Sequence, residues 1–198
     1  MKIGIDLDNV VVHTTEALLS YLAERGAPEK RIEDITQYWI ENNYPPKYNL
    51  LIKEAFESKE MWKKVEFIEE SYLYIKWLYE AGHEIYFVTS SLPENLRKKI
   101  KHLARNLIFF PTDYVWKHTI NIHYKQLLNL DVLVDDCYDN LCGTHSYQSI
   151  CFNYPWNTAA LSNPDIMCAN NWDEIYHAIL IVENEKKEKI EADIIKRK

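Results

Sequence analysis

Apolar and polar residues along this chain fall into short blocks that predict strands alternating with helices. Continuous apolar runs of about four residues that end in polar residues are typical of buried parallel strands. One such run lies at the beginning of the chain, within residues 1–12. Further strands are predicted at 85–88, 131–134 and 149–152, with a short one at 119–123.

Helices are predicted between these strands from the spacing of apolar residues and from capping and stop residues. They are expected at 14–25, 32–41, 48–58, 59–65, 69–81, 93–106 and from 170 to the end. Thr14 or Thr15 is expected to cap the first helix and Asn171 the last. The alternation predicts an α/β fold with a doubly wound parallel sheet and right-handed crossovers.

One part of the chain departs from this alternation. Residues 14–67 contain no convincing strand, so they are predicted to form a small helical cap inserted after the first strand. Residues 1–13 and 68–198 are predicted to form the core domain. A chain of 198 residues is long enough for one domain with a sizeable core and a small insertion of this kind.

The composition limits the classes of molecule that this protein is expected to bind. Hydrophobic residues make up 47% of the chain and charged residues 27%, which is typical of a globular protein. The net charge of −7 argues against broad binding to a nucleic acid polymer or to an anionic membrane, because both need a basic surface. The sequence leaves the oligomeric state open, a homodimer included.

Cysteine and histidine spacing predicts no structural metal site. The four cysteines form no CxxC pair, and the seven histidines show no metal-ligand pattern. Free thiols in a reducing cytoplasm are therefore expected. The chain starts directly on the first strand and has no apolar run of membrane-spanning length, so neither a signal peptide nor a membrane anchor is expected.

Polar side chains follow three of the predicted strands, and the carboxyl ends of parallel strands meet at one edge of a sheet. The residues are Asp6 and Asp8, Thr89 and Ser90, and Asp135 and Asp136. Four carboxylates at one point repel one another unless a cation lies among them, and oxygen ligands suit Mg²⁺. The hydroxyls would hold a phosphate, and a lysine is expected to offset its charge. Asp6 and Asp8 by themselves are also compatible with a simple acidic turn.

These residues resemble a known set of motifs. DLDNV, VTSS, a lysine and VDD, in this order, resemble the four motifs of the haloacid dehalogenase superfamily of phosphohydrolases. The chain is most similar to the 5′(3′)-deoxyribonucleotidase, or cytosolic type C 5′-nucleotidase-like, family. The insert position, the ten residues from Lys125 to Asp135, and the segments at 139–141 and 154–157 carry this resemblance.

The resemblance implies a role for each residue of the set. Asp6 would be the nucleophile and a Mg²⁺ ligand. Asp8 would ligate Mg²⁺ through its backbone oxygen, protonate the leaving group and then activate water. Lys125 would stabilise the charge on phosphorus, with Lys117 as the alternative lysine.

The remaining members of the set would bind phosphate and metal. Thr89 and the Ser90 backbone would grip the phosphate. Asp136 would ligate Mg²⁺ with Asp135 beside it, although the sequence does not decide which of the two contacts the metal. The basic residues of the following helix, Arg97, Lys98, Lys99 and Lys101, are expected on a solvated face.

Three features depart from the family pattern. Asn9 stands where a glycine is usual, and asparagine can adopt the same backbone angles, so the turn and its place at the substrate are expected to persist. Thr14 stands where the family has an aromatic residue that helps to hold the base. The last motif region has no glycine until Gly143.

Aromatic residues of the cap are the candidates for base stacking. We select Tyr38, Trp39 and Trp62, with a purely structural place in the core as the alternative for each. The function expected from this resemblance is Mg²⁺-dependent hydrolysis of nucleoside monophosphates through an aspartyl-phosphate. A phosphatase of another small metabolite, such as a sugar phosphate, and a catalytically silent binding protein remain alternatives. The intact pair Asp6 and Asp8 weighs against silence.

Overall fold

Six strands form a single sheet in which every neighbouring pair runs parallel. The structure is a computed structural model that describes residues 1–196. The strand order is β3-β2-β1-β4-β5-β6. The strands are β1 (Lys2–Ile5), β2 (Glu84–Thr89), β3 (Thr119–Asn121), β4 (Val132–Asp135), β5 (Gln148–Phe152) and β6 (Ile166–Ala169). The predicted α/β class with a doubly wound parallel sheet is confirmed.

The sixth strand was not predicted, and the expectation that the sheet ends at 149–152 is wrong. β6 is four residues long and pairs with β5 alone, at the edge of the sheet. Met167 and Cys168 in its middle are only half-buried. The four residues of β6 are all apolar, but Ile166 is the only β-branched one, and an apolar run this short does not by itself distinguish a strand from other structure.

Eight α-helices connect or flank the strands within the described residues. They are α1 (Thr14–Ala23), α2 (Asn49–Glu57), α3 (Lys59–Lys63), α4 (Ser71–Glu80), α5 (Pro93–Asn106), α6 (Tyr114–Lys117), α7 (Tyr138–Leu141) and α8 (Trp172–Lys196). The predicted cap of α8 is confirmed, since Asn171 Oδ1 accepts the backbone N–H of Glu174 at 2.9 Å. Residues 197–198, the end of that predicted helix, lie outside the described residues.

The predicted helix at 32–41 is wrong. Two short 3₁₀ turns, Ile32–Asp34 and Ile40–Asn43, enclose an irregular segment instead. Asn43 explains the difference, because its amide oxygen accepts the backbone N–H groups of Thr36 and Gln37 at 3.0 and 3.1 Å. Its amide nitrogen donates to the carbonyl of Gln37 at 2.8 Å. One side chain thus supplies the bonds that a continuing helix would have made within the backbone.

The sheet separates a large apolar core from a smaller one. Alternate residues of the central strands, such as Ile5 and Val134, pack into the large core together with apolar residues of the 14–67 segment. The opposite face contains Leu130 and Leu133 in the smaller core. A Cβ atom at Gly4 would lie 2.5 Å from Leu130 Cδ1, so a larger residue in this central strand would force the end of the Leu130 side chain to shift. The division into a core domain and a cap stays a prediction.

The chain reverses its direction of travel across the sheet between β1 and β4. β2 and β3 lie on one side of β1, and β4, β5 and β6 lie on the other. Such a switch point leaves a crevice at the carboxyl ends of the two adjacent strands, where open α/β sheets bind ligands. The register pairs Ile5 with Phe87 on one side and with Val134 on the other, so β1 and β4 end within one residue of each other and β2 runs two residues further, to Thr89. None of the helices within residues 1–196 is long and apolar enough to cross a membrane.

Candidate active site

Three carboxylates meet at the switch point. Asp6 follows β1, Asp135 ends β4 and Asp136 comes next, and each offers an oxygen within 4.8 Å of the others. All three residues are buried. Of the four carboxylates expected at this edge, these three come together, whereas the carboxylate of Asp8 bonds to Thr14 and Lys99.

Lys125 is the cation at the centre of this cluster. It begins a 3₁₀ turn and is 1% exposed. Its ammonium group pairs with Asp6 and donates to Asp135 Oδ2 at 2.7 Å and to the Val88 carbonyl at 3.1 Å. Burial lowers the pKa of Lys125, but Asp135 and Asp6 outweigh that effect and hold the pKa above its ordinary value, so the ammonium stays charged.

The alternative lysine lies elsewhere. Lys117 ends α6 with an exposed side chain, and its ammonium pairs with Asp113 at 2.5 Å. Among the two lysines considered for the charge-stabilising position, Lys125 is the one that the structure places at the acidic cluster.

The two neighbouring aspartates differ in how fully they are bonded. Asp135 Oδ1 accepts the backbone N–H of Cys137 at 2.8 Å, and Oδ2 accepts from Lys125 and from Asn140 at 3.1 Å. Asp136 Oδ2 accepts a single bond from Asn9, at 3.1 Å. Asp136 therefore retains the oxygen lone pairs that a cation would need, whereas those of Asp135 are occupied by the protein.

The environment disfavours the charged form of two carboxyls. Burial raises the pKa of Asp6 to about 7, against the opposing influence of Lys125 and with a further increase from Asp135 and Asp8. Burial, with Asp6 and Asp135 nearby, holds the pKa of Asp136 well above its usual range. Carboxyls that are costly to ionise in the free protein are what a cation site requires, because the cation removes that cost.

Asn9 organises the turn after β1. Its φ of 58° lies in the left-handed region, which a glycine would adopt without strain, so the expectation that the turn persists with asparagine is confirmed. Its side chain donates to Asp136 and accepts the backbone N–H of Thr15 at 3.0 Å. Asn9 thus takes over the bond to the start of α1 that Thr14 or Thr15 was expected to make, and that expectation is wrong.

The carboxylate of Asp8 is held on both oxygens. Thr14 donates its hydroxyl to Oδ1 at 2.7 Å, and the Lys99 ammonium pairs with Oδ2. Among the described residues, the backbone carbonyl of Asp8 accepts no hydrogen bond from the main chain. That oxygen is available for a ligand, as the resemblance to the phosphohydrolases implies.

Lys99 contradicts the expectation that the basic face of α5 is wholly solvated. It is 6% exposed, and its ammonium also donates to Thr89 Oγ1 at 3.1 Å. Because Lys99 belongs to a run of four basic residues, the sequence pattern predicted a solvated position for it. Helical spacing could have revealed it, because Lys99 lies one turn before the buried Leu103 and next to Ile100.

The residues that follow β2 complete this edge of the site. Thr89 is buried with its hydroxyl 3.1 Å from that of Ser91. Ser90 is exposed, and its hydroxyl forms a hydrogen bond with His123 Nδ1 at 3.2 Å. Thr89 thus lies next to Lys99 and the acidic cluster, and Ser90 lies at the surface beside them.

Of the three aromatic residues proposed from the sequence, Tyr38 reaches the cluster. Although 43% of Tyr38 is exposed, it lines a cavity of about 20 Å³ beside Asp136 and Asn9. Burial of its hydroxyl and the charge of Asp136 raise the pKa of Tyr38. Trp39 is 58% exposed, with its ring edge-to-face against Tyr38 at 5.3 Å.

Trp62 occupies a different environment. It is buried in the apolar core, and its indole N–H donates to the Phe56 carbonyl at 2.8 Å. It is not among the residues that line the cavity beside Asp136. The placement matches the structural alternative, and a stacking role for Trp62 stays an untested prediction.

Trp156 also lines the Tyr38 cavity, although the sequence analysis cited its segment, 154–157, only for the family resemblance and gave the residue no role in the site. Its ring stacks on Tyr154 at 4.3 Å, and its buried indole N–H has no hydrogen-bond partner among the described residues. Asn157 fixes this loop by donating to the carbonyls of Asp136 and Phe152, both at 2.8 Å.

All four cysteines are free thiols, as expected.

Solved structures share this fold. A HAD-family hydrolase from Deinococcus radiodurans, solved with bound phosphate and sodium, is 17% identical, with a TM-score of 0.57 over 92% of this chain and 96% of that one. A haloacid dehalogenase-like family protein from Streptococcus pneumoniae is 13% identical, with a TM-score of 0.58 over 90% and 97%. These likenesses show that the chain has a haloacid dehalogenase-like fold.

The sequence identifies the family within that class. The profile of the family described as 5′ nucleotidase, deoxy (Pyrimidine), cytosolic type C protein matches residues 1–186. The chain belongs to this family and is a phosphatase. No individual curated protein matches the chain in sequence.

Proposed function

We propose that this phosphatase is a Mg²⁺-dependent 5′-nucleotidase that hydrolyses (deoxy)nucleoside monophosphates through an aspartyl-phosphate on Asp6. The observation that carries the proposal is the convergence of a buried acidic triad, Lys125 and the Asp8 carboxylate at one switch point. The family match supports the same reaction class. The free thiols and the cytosolic family description support a cytoplasmic location.

The donor set fits Mg²⁺. Asp6 and Asp136 offer carboxylate oxygens, the Asp8 carbonyl offers a third oxygen, and Asp135 orients Lys125 from beside them. Mg²⁺ favours oxygen ligands and is usually held by one or two carboxylates together with substrate phosphate. When bound, the ion would neutralise the carboxylates and draw the phosphate into the site.

The protein's own groups divide the chemistry between them. An Asp6 oxygen attacks phosphorus, the bond from phosphorus to the leaving oxygen breaks, and Asp8 gives that oxygen a proton. Water then attacks the phosphorus of the aspartyl-phosphate while Asp8 takes its proton, which returns Asp6 as a carboxylate and releases phosphate. Lys125 stabilises the negative charge on the transferring group, and Thr89 orients it.

Replacing Asp136 with asparagine tests the metal assignment without an activity assay. We expect Mg²⁺ to raise the melting temperature of the wild-type protein and to have little effect on Asp136→Asn, because a ligand stabilises the state that binds it. In EDTA the variant should melt no lower than wild type, since the change removes a buried repelling carboxylate while the amide oxygen can still accept the bond from Asn9. Differential scanning calorimetry measures both.

Asp139→Asn is the matched control for this experiment. Asp139 lies three residues further on and is exposed, so its replacement should leave the Mg²⁺ response intact. An Asp136→Asn protein that is stabilised by Mg²⁺ as strongly as wild type would contradict the metal assignment.

The aromatic wall beside Asp136 supports a nucleotide substrate. Tyr38 and Trp156 both line the small cavity beside Asp136, Trp39 packs edge-to-face on Tyr38, and the buried indole N–H of Trp156 has no hydrogen-bond partner among the described residues. Aromatic rings hold a base by stacking, and each stacked base contributes about 1–3 kcal/mol. A small phosphate ester without a base gains none of this.

Comparing substrates tests the nucleotidase assignment. We expect nucleoside monophosphates to exceed a small sugar phosphate in kcat/KM by about 5- to 150-fold, the equivalent of one stacked base. Tyr38→Ala or Trp39→Ala should remove that advantage and leave the sugar phosphate rate almost unchanged, because the reacting groups are intact. Phosphate release measured with Mg²⁺ over a panel of esters gives both values.

Two variants sharpen the comparison. Tyr38→Phe separates the ring from the hydroxyl beside Asp136, and Trp116→Ala removes an exposed tryptophan from α6 as a control. If kcat/KM were equal for nucleotides and sugar phosphates in the wild type and in both alanine variants, the result would favour the second candidate, a phosphatase of another small metabolite. A wild-type protein that binds nucleotides but hydrolyses no ester would favour the silent binding protein.

A further inference from the structure

The hydroxyl of Thr14 is committed to Asp8. Thr14 is 3% exposed in the first turn of α1, and its hydroxyl donates to Asp8 Oδ1 at 2.7 Å. The start of α1 makes no use of this hydroxyl, since the helix has no side-chain cap of its own and Asn9 accepts the N–H of Thr15. The Thr14 hydroxyl therefore serves to bond Asp8 and not to cap the helix.

The second oxygen of Asp8 faces the place where phosphate would bind. Oδ2 pairs with Lys99, and the same ammonium donates to Thr89 Oγ1 at 3.1 Å. Lys99 is therefore located between the Asp8 carboxylate and the hydroxyl assigned to the phosphate. Oδ1 is thus bonded to α1, and Oδ2 lies on the side of Lys99 and Thr89.

We infer that Thr14 is a positioning residue that holds the Asp8 carboxylate through Oδ1, so that Oδ2 is presented to the leaving-group oxygen of the substrate. The inference rests on the proposed function, in which Asp8 is the proton donor. In that step Asp8 starts in its protonated form: the electron pair of the breaking bond stays on the leaving oxygen, which takes the proton from Oδ2, and Asp8 is left as the carboxylate that pairs with Lys99. A displaced carboxylate slows this transfer steeply, because a shift of about 1 Å can cost about 100-fold.

The experiment compares two esters that differ in their need for a proton. A nucleoside 5′-monophosphate releases an alkoxide-like oxygen that must be protonated, whereas p-nitrophenyl phosphate releases a stable phenolate. Thr14→Val should lower kcat/KM for thymidine 5′-monophosphate by about 10- to 100-fold, and kcat/KM for p-nitrophenyl phosphate much less. Thr14→Ser keeps the donor and should restore most of the loss, which also separates the hydroxyl from any effect of valine on folding.

A double-mutant cycle shows whether Thr14 acts through Asp8. In an Asp8→Asn background, Thr14→Val should cause no further loss with the nucleotide, because nothing remains to be positioned. Thr119→Val is the control, since it removes a hydroxyl that donates to the Val115 carbonyl at the edge of the sheet. It should leave both esters unaffected.

The outcomes separate this inference from the proposed function. Three results would overturn the inference while the wild type still hydrolyses both esters. Thr14→Val could lower kcat/KM equally for both esters, it could lower kcat/KM further in the Asp8→Asn background, or it could cause no loss at all. Failure of the wild type to hydrolyse either ester with Mg²⁺ would overturn the proposed function and the inference with it.

Discussion

Asp6→Asn is expected to abolish phosphate release while the protein stays folded. The carboxylate is the proposed nucleophile, and an amide cannot form the aspartyl-phosphate in its place. Lys125 keeps its bonds to Asp135 and to the Val88 carbonyl in the variant, and one charge is removed from a crowded cluster, so the fold should tolerate the change. Phosphate release at saturating nucleotide and Mg²⁺, with circular dichroism for the fold, makes the measurement.

Asp113→Asn is the control for this variant. Asp113 is exposed and pairs with Lys117 on the surface, so its replacement should leave turnover at the wild-type level. A folded Asp6→Asn protein that releases phosphate near the wild-type rate would show that Asp6 is not the nucleophile.

Lys125→Met is expected to lower kcat by about 10²–10³-fold, the usual effect of removing one preorganised group that stabilises transition-state charge. It should also lower the free energy of unfolding in EDTA by about 3–5 kcal/mol, because the change leaves buried carboxylates without their cation. Methionine approximates the length of the lysine side chain, so the effect of a cavity stays small. Steady-state kinetics and urea unfolding measure the two effects.

Lys117→Met provides the comparison. Its ammonium is exposed and paired with Asp113 alone, and an exposed pair of this kind contributes about 0–1 kcal/mol. We expect near wild-type kinetics and stability. If Lys117→Met proved the more damaging of the two, the charge-stabilising lysine would have to be reassigned to Lys117.

The acidic centre of the site was predictable because its residues follow buried strands. Asp6, Asp135 and Asp136 stand directly after apolar runs, and in a parallel sheet the ends of such runs converge. Lys125 was predictable from its ten-residue spacing to Asp135 and from the family resemblance. These features are local in the sequence, so the pattern alone locates them.

Lys99 and Thr14 were misassigned because their partners are distant or unexpected. Lys99 meets Asp8 across 91 residues of sequence, and its neighbours in the chain are basic and solvated. Thr14 was read as a helix cap, but Asn9 makes that bond and frees the threonine hydroxyl for Asp8. The bond of Lys99 depends on tertiary packing, which residue patterns do not encode, whereas Thr14 bonds locally to a residue that the pattern did not single out as its partner.

The two errors in the predicted fold have different origins. The helix expected at 32–41 gave way to a loop because Asn43 competes for its backbone groups, a bond that propensity does not reveal. β6 forms because β5 offers an open edge, although the sequence Ile166–Ala169 is barely long enough to identify. The first case is a local side-chain bond that competes with the helix, and the second is a tertiary contact that adds an edge strand.

The most direct test of the account is to identify the residue that receives phosphate. Asp8→Asn protein, in which water activation is lost, should accumulate the aspartyl-phosphate when mixed with p-nitrophenyl phosphate and Mg²⁺, since this ester needs no proton to leave. Acid quenching and mass spectrometry of the digested protein are expected to locate the phosphate on Asp6, and EDTA is expected to prevent its appearance. Release of p-nitrophenol without phosphate on Asp6 would contradict the account.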